Sequence, residues 1–390
     1  MLKNMEKSVF VNIIKNYLKE SKYLSLIKYN KSFQQILNIS LENYKTYLSI
    51  EIELTLKEKL KKGKNNFICN NSNNIFLRKP TSYYHIYFDD NKEEIKKNYI
   101  KSSDKVNKIK IIIDREETSL RGLFTFCECI KEINFIKFNR KNLTDMREMF
   151  AFCTSLKKIS LTKLKTDNVT MMSQMFRKCT SLEEIDLSHL NTSKVTHMNE
   201  MFLSCTNLKK INLNNINTSN VVTMNNIFNG CTSLERIDLS KLNTSNVTDM
   251  SFMFFNCTSL KQILFSDDIN KVFSTNKVKN MSLMFYGCSS LEYLDIKIFD
   301  TFNVINMYRM FNGCSALKKL YINHFKTSNV IDMRFMFGLC SSLNGLNISN
   351  IDINDKCCIR WMFSNCDKKL KNDVKKQNEL IAKFGLEDYS

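Results

Sequence analysis

Val247 to Phe265 reads V-T-D-M-S-F-M-F-F-N-C-T-S-L-K-Q-I-L-F, and variants of this phrase recur along most of the chain. The register mark is its cysteine. Cys127, Cys153, Cys179, Cys205, Cys231, Cys257, Cys288, Cys314, Cys340 and Cys366 are 26 residues apart at every step but one, Cys257 to Cys288, which takes 31. A fixed period of this size means that one supersecondary unit has been copied, and such units bury their apolar face only by stacking. The fold class is therefore an α/β solenoid of about ten 26-residue coils. Function belongs on its surface, not in one deep cleft.

Within a copy the apolar period changes halfway. Met250, Met253, Phe254, Cys257 and Leu260 stand at i, i+3, i+4, i+7 and i+10, which predicts a helix of about three turns. Leu234, Ile237, Leu239 and Leu242 follow L-x-x-I-x-L-x-x-L, the spacing of a short strand entering a loop. Between them lies Asn243-Thr244-Ser245-Asn246, whose side chains bond their own backbone and suit a helix start. The expected coil is strand, polar turn, helix and return. On helices, neighbouring cysteines would lie roughly 10 Å apart, too far for disulfides, so the thiols read as small core hydrophobes.

Composition narrows the function. One proline and eight glycines leave little material for Pro-rich linkers or phosphate-cradling loops. The net charge is +19, but roughly +11 of it precedes residue 111. The repeats therefore lack the consistent basic stripe that a polyanion partner needs, and nucleic acid is disfavoured. The first thirty residues hold no apolar run fit for secretion, no later segment approaches a membrane span, and neither a lipobox nor a sortase motif is present. The expected location is cytoplasmic.

Four regions follow. Residues 1–50 read as a small helical unit, with Val9, Phe10, Ile13, Ile14, Tyr17 and Leu18 at helical spacing. Residues 51–107 read as a connector with one or two strands, among them the aromatic run Tyr83 to Phe88. Residues 108–370 hold the solenoid with its N-terminal cap, beginning at the alternating strand Lys108 to Asp114, and residues 371–390 form a C-terminal tail or cap.

The phrase L-x-x-I-D-L-S-x-L-N-T-S-x-V-T-x-M-x-x-M-F-x-x-C-T-x-L, at Leu182 to Leu208 and Leu234 to Leu260, resembles the BspA-like leucine-rich repeats of bacterial and protist surface proteins. The resemblance spans about Leu123 to Cys366. It implies a right-handed leucine-rich-repeat-like superhelix that binds macromolecules, typically as an adhesin. Bacterial relatives carry an export signal or anchor that is not found here. The segment around Phe10 to Leu18 is weakly similar to an F-box, without its Leu-Pro opening.

No acid, base, nucleophile and stabiliser converge in the sequence, so a non-enzyme is expected, with no cofactor and no metal. His85, His189, His197 and His324 match no catalytic or zinc pattern. Cys127-Glu128-Cys129 and Cys357-Cys358 lack a second thiol pair for zinc and read as structural, with redox sensing by the vicinal pair as the sharper alternative. The abundant sequons, such as Asn191-Thr192-Ser193, arise from the repeated turn.

The strand face is the candidate binding surface. Its outward positions include Asp186, Asn212, Asp238, Asp295 and Tyr321, flanked by the pairs Lys157-Lys158, Glu183-Glu184, Lys209-Lys210 and Glu235-Arg236. Opposite charges on adjacent rungs either neutralise one another or present a mixed-charge surface to a protein, with Tyr293, Tyr321 and Phe325 as anchors. The expansion at Ser266 to Asn270 is either a binding loop or a neutral insertion. The expected function is a non-catalytic protein-interaction scaffold. The alternative is a BspA-type adhesin exported by a route the sequence does not display.

Overall fold

The computed structural model describes residues 31–37, 41–69, 84–114, 117–265 and 273–389. Most of the expected N-terminal helical unit, including the F-box-like stretch, lies outside the described residues, as does Ser266 to Asn270. Two short helices, α1 (Lys31–Leu37) and α2 (Leu41–Leu48), precede the first strand.

Ile50, Ile52 and Leu54 alternate with Glu51, Glu53 and Thr55, so one face is apolar, and β1 (Ile50–Leu56) buries that face completely. Beyond it come the short β2 (Asn65–Asn66), β3 (Tyr84–Phe88), the short β4 (Tyr99–Ile100), β5 (Lys108–Ile113) and the nine-residue β6 (Ile130–Phe138). The longer strands assemble as β3-β5-β1-β6-β7, where β7 (Lys158–Ser160) is a rung of the repeats, and β2 pairs with β4 in a separate ribbon. Pairing is antiparallel from β3 to β6 and switches to parallel at β6–β7. The N-terminal unit thus covers the outer edge of the first rung, an edge that would otherwise pair with another chain. Arg140, buried beside this junction, donates to the carbonyls of Leu48 and Ile113 at 2.9 and 2.7 Å.

From β7 onward the chain is a solenoid, and its coils depart from the expected strand-turn-helix. The Met-Phe-Cys segment is not a helix. Instead it is a run of tight turns in which alternate amides point out of the coil. In the copy quoted first, Phe255 N donates to Phe252 O and Cys257 N to Phe254 O within the coil. Met250, Phe252, Phe254 and Asn256 donate across to Asn280, Ser282, Met284 and Tyr286 of the next, at 2.7 to 3.0 Å. A helix would direct those amides to its own preceding carbonyls and hold the coils roughly 10 Å apart. Stacked turns bring them much closer, as the central phenylalanines show. Phe124, Phe150, Phe176, Phe202, Phe228, Phe254, Phe285, Phe311, Phe337 and Phe363 form one column, with successive centroids 5.2 to 5.9 Å apart and planes within 18°. The apolar spacing predicted for a helix face is here the inward face of the turns.

Each coil pays for this path with left-handed backbone, first just before the Met-Phe pair (Glu148, Gln174, Glu200, Asn226, Phe252) and again just before the cysteine (Phe152, Lys178, Ser204, Asn256). Gly230, Gly287 and Gly313 fill the second position in their coils at φ 69° to 77°. At Gly287 a Cβ would also run into the side-chain amide of Asn256. An L-residue at such φ costs roughly 1–2 kcal/mol, part of which glycine returns in chain entropy. Ser204→Gly, at φ 58°, is therefore expected to stabilise the protein by about 0.5–1 kcal/mol, and the β-branched Ser204→Val to destabilise it. A urea midpoint that fell for the glycine variant would contradict this.

The ruler cysteines are free thiols in a geometry different from the one expected, on coils whose stacked rings lie 5.2 to 5.9 Å apart and not roughly 10 Å as for helices. Each from Cys153 to Cys366 donates its S–H to the carbonyl of the stacked phenylalanine in the preceding coil, at 2.9 to 3.3 Å. A parallel column of buried hydroxyls, Thr166, Thr192, Thr218, Thr244, Thr275, Thr301 and Thr327, donates forward to a carbonyl of the following coil at 2.7 to 3.0 Å. Sequon asparagines accept locally: Asn191, Asn217 and Asn243 take the amides of Ser193, Ser219 and Ser245.

At the far end α3 (Lys368–Lys375), N-capped by Asp367, and α4 (Glu379–Phe384), N-capped by Asn378, bury Leu370, Val374 and Ile381 against the last coil. Gln377 takes the place of a further rung: its Oε1 accepts from Ile348 N and its Nε2 donates to Leu346 O. Among the described residues no helix is long and apolar enough to cross a membrane.

Candidate functional site

The two ladders of the solenoid differ. Along the V-T-x-M segment single parallel bridges run without interruption from Ser119 to Cys358, through Met171, Thr223, Asp249 and Asn306. On the strand face the rungs pair in twos: β8 (Glu184–Asp186) with β9 (Lys210–Asn212), β10 (Arg236–Asp238) with β11 (Gln262–Leu264), and β12 (Lys319–Leu320) with β13 (Gly345–Leu346), Tyr293 bridging to Lys319. Pairing on this face is therefore interrupted. The continuous spine lies in the segment read as helix.

β8, β10 and β11 bury their central Ile and turn its neighbours outward, while Ile211 of β9 is only partly buried. Of the predicted site residues, Asp186, Asn212, Asp238 and Asp295 do face out, but one oxygen of each accepts the backbone amide two residues on, closing an Asx turn at 2.8 to 3.1 Å. That local bond is the reason these residue types follow the strand. In Asp186 the bond from Ser188 is the main influence holding the carboxyl below its ordinary range. Charge alternation resolves into pairs across rungs: Lys209 with Glu183 at 2.8 Å, Lys261 with Glu235 at 3.0 Å and Lys318 with Glu292 at 2.5 Å. Exposed pairs of this kind contribute little to stability, so they neutralise the face more than they brace it.

Phe325 is a correction. It is 2% exposed, because it fills the last leucine position of L-x-x-I-x-L-x-x-L, where Leu164, Leu190 and Leu242 also point inward. It cannot anchor a partner. Tyr293 and Tyr321 are the opposite case, 64% and 69% exposed on neighbouring rungs, with Leu264 40% exposed one rung earlier. Where the ladder breaks between β11 and Tyr293, a cleft of about 680 Å³ opens, lined by Arg236, Asp238, Lys261, Leu264, Tyr293 and Asp295. It joins Asp238, Tyr293 and Asp295 in one place; Asp186 and Asn212 lie on earlier rungs and Tyr321 on the next. Leu264 is legible in the sequence as an outward strand position but is not among the predicted binding residues, although an apolar side chain there signals one.

The cleft offers carboxylates tied in turns, a lysine paired across rungs and a phenol. Among the described residues no cluster of three or more His, Cys, Asp or Glu is arranged to hold a metal. His189 and His197 are exposed, and His85 lies between Glu94 and Asp114 at 3.2 Å from each. Burial pushes the Cys357 thiol up to about 12, the reverse of what a redox sensor needs.

The repeat architecture agrees with a sequence-family model described as "Mycoplasma protein of unknown function, DUF285", which matches residues 118–212, 204–294 and 279–379. The chain belongs to this family. The DUF285 matches tile the solenoid from the first rung into the C-terminal helices and support the BspA-like resemblance. Among solved structures, a leucine-rich repeat protein from Bacteroides ovatus is similar at 18% identity and a TM-score of 0.37, over 72% of this chain and 80% of that one. No curated protein matches the chain.

Proposed function

We propose that this DUF285 protein is a non-catalytic scaffold of the leucine-rich-repeat type that binds a protein partner through its strand face. The observation that carries the reading is the pair Tyr293 and Tyr321, two aromatic rings left open on adjacent rungs beside a cleft that also exposes Leu264. Exposed aromatics grouped with Arg236 and Lys261 have the make-up of interface hot spots. Neutralised charges around them lower the cost of desolvating the face. The expected site of action is inside the cell.

Affinity capture with the full chain, beside a Tyr293→Ser/Tyr321→Ser variant, tests the reading. A protein retained by the native chain and lost at least tenfold with the variant is expected, since hot-spot truncations cost about 2 kcal/mol or more. Equal retention by both excludes the strand face. The adhesin reading rests on the BspA-like repeats, and cleavage of the protein by protease applied to intact cells would favour it over the intracellular one.

A further inference from the structure

On the face formed by the turns, remote in function from the strand-face cleft, Arg309 is held in an uncommon way. Its guanidinium lies over the rings of Tyr286, Tyr308 and Phe335, at 6.0, 5.2 and 4.6 Å from their centroids. No acceptor among the described residues takes a hydrogen bond from it, and its Nε is buried without a partner. Arg334 and Arg147 are paired with both oxygens of Asp332 and with Asp145, and Arg177, whose Nε is likewise buried without a partner, still has Glu200 as counter-ion. Arg309 is thus a planar cation clamped by π-faces, with no acidic partner among the described residues. Beside it Phe335 stacks on Trp361 at 5.1 Å, and Tyr389, 60% exposed, closes on both edge-on at 5.6 and 5.3 Å.

We infer that this surface is a second docking site and that its occupant is an acidic segment of a protein. A carboxylate receives the free guanidinium edge in the two-pronged geometry that arginine favours, while an apolar neighbour rests on Trp361 and Tyr389. Clamping fixes the guanidinium beforehand, so little side-chain entropy is lost on binding. Charge complementarity selects the occupant: a cation without a counter-ion among the described residues, and the exposed Arg360 nearby. Single-stranded nucleic acid fits less well, because it needs open ring faces for stacking bases. Here those faces are occupied: Phe335 lies between Arg309 and Trp361, and Tyr286 stacks on Phe255 at 4.7 Å.

Trp361 is the only tryptophan of the chain, so its emission reports on the site directly. The probe is a short fluorescein-labelled peptide of alternating glutamate and leucine, titrated into the full chain at physiological ionic strength. Expected are saturable anisotropy, a change in Trp361 emission, weakening by about tenfold or more in Arg309→Gln, and no change in Tyr293→Ser/Tyr321→Ser, which separates this site from the strand face. If Arg309→Gln fails to fold, Arg360→Gln, at an exposed position, decides by a severalfold loss of affinity. The inference is overturned if the native chain does not bind the peptide. It is also overturned if a lysine-leucine peptide binds equally, if folded Arg309→Gln binds as before, or if labelled oligothymidylate binds in preference.

Discussion

Raising the pH from 8 to about 10 is expected to unfold the protein cooperatively. Nine of the ten ruler thiols are fully buried and the tenth, Cys366, is 9% exposed. Burial, the largest influence on each, raises their pKa: Cys205, Cys257 and Cys314 to about 12, Cys366 to about 11, the rest also upward. In an unfolded chain the same thiols ionise near pH 8.5. Below that pH both states hold the protons and the thiols place no pH dependence on stability. Above it the unfolded state sheds protons that the native state keeps, so it binds fewer protons and stability falls as pH rises. Each thiol contributes about 1.4 kcal/mol per pH unit. Ten of them acting together remove on the order of 10 kcal/mol per unit, which is as large as the whole stability of an ordinary domain. Circular dichroism through a titration from pH 8 to 11 should show one steep loss of signal. Replacing Cys205 and Cys257 by alanine should lower stability at pH 7 yet make the alkaline loss shallower. A chain that remains folded at pH 11 would mean that the thiols ionise in place.

Ile52→Lys is expected to cost on the order of 5 kcal/mol, since it sets an unpaired charge into a fully buried position on the central strand of the N-terminal sheet. Ile52 faces Ile111 on β5 and Phe135 on β6. When β1 leaves, β6 loses its antiparallel partner and presents a nine-residue edge with open amides and carbonyls. Coils further along contact only their neighbours, so they should persist while the exposed edge drives self-association. Light scattering should report oligomers, and urea unfolding should show an early first phase. Glu53→Gln, on the outward side of the same strand, should change stability by less than about 0.5 kcal/mol. A monomeric Ile52→Lys protein with an unchanged midpoint would show that the sheet does not seal the solenoid.

The period of the repeat, its inward residues and the strand positions were legible because they follow from which residues recur. The helix was not correctly legible, because i, i+3, i+4, i+7 describes which side chains point inward and is shared by any path that turns at that rate. What distinguishes the paths is backbone torsion, and the relevant sign lay in small residues: glycine precedes the cysteine at Gly230, Gly287 and Gly313, and asparagine does so at Asn256 and Asn365. The alternation Ile50-Glu51-Ile52-Glu53-Leu54 marks β1 plainly but sits in a stretch that reads as a connector. Tyr293 and Tyr321 were legible as outward residues. Phe325 was misplaced although its register already assigned it to the core. The docking surface around Arg309 had no sequence signature, since its members come from successive turns and Tyr389 from the C-terminal tail.

The two sealed ends have a consequence for how such a chain changes over generations. Neither the sheet over β6 nor the side chain of Gln377 depends on how many coils lie between them. Unequal recombination that adds or deletes one whole unit in the interior lengthens or shortens the molecule by a single rung and leaves both terminal seals intact. Length is therefore the property this architecture can vary most freely, and a lineage can resize the distance between its two ends without redesigning either.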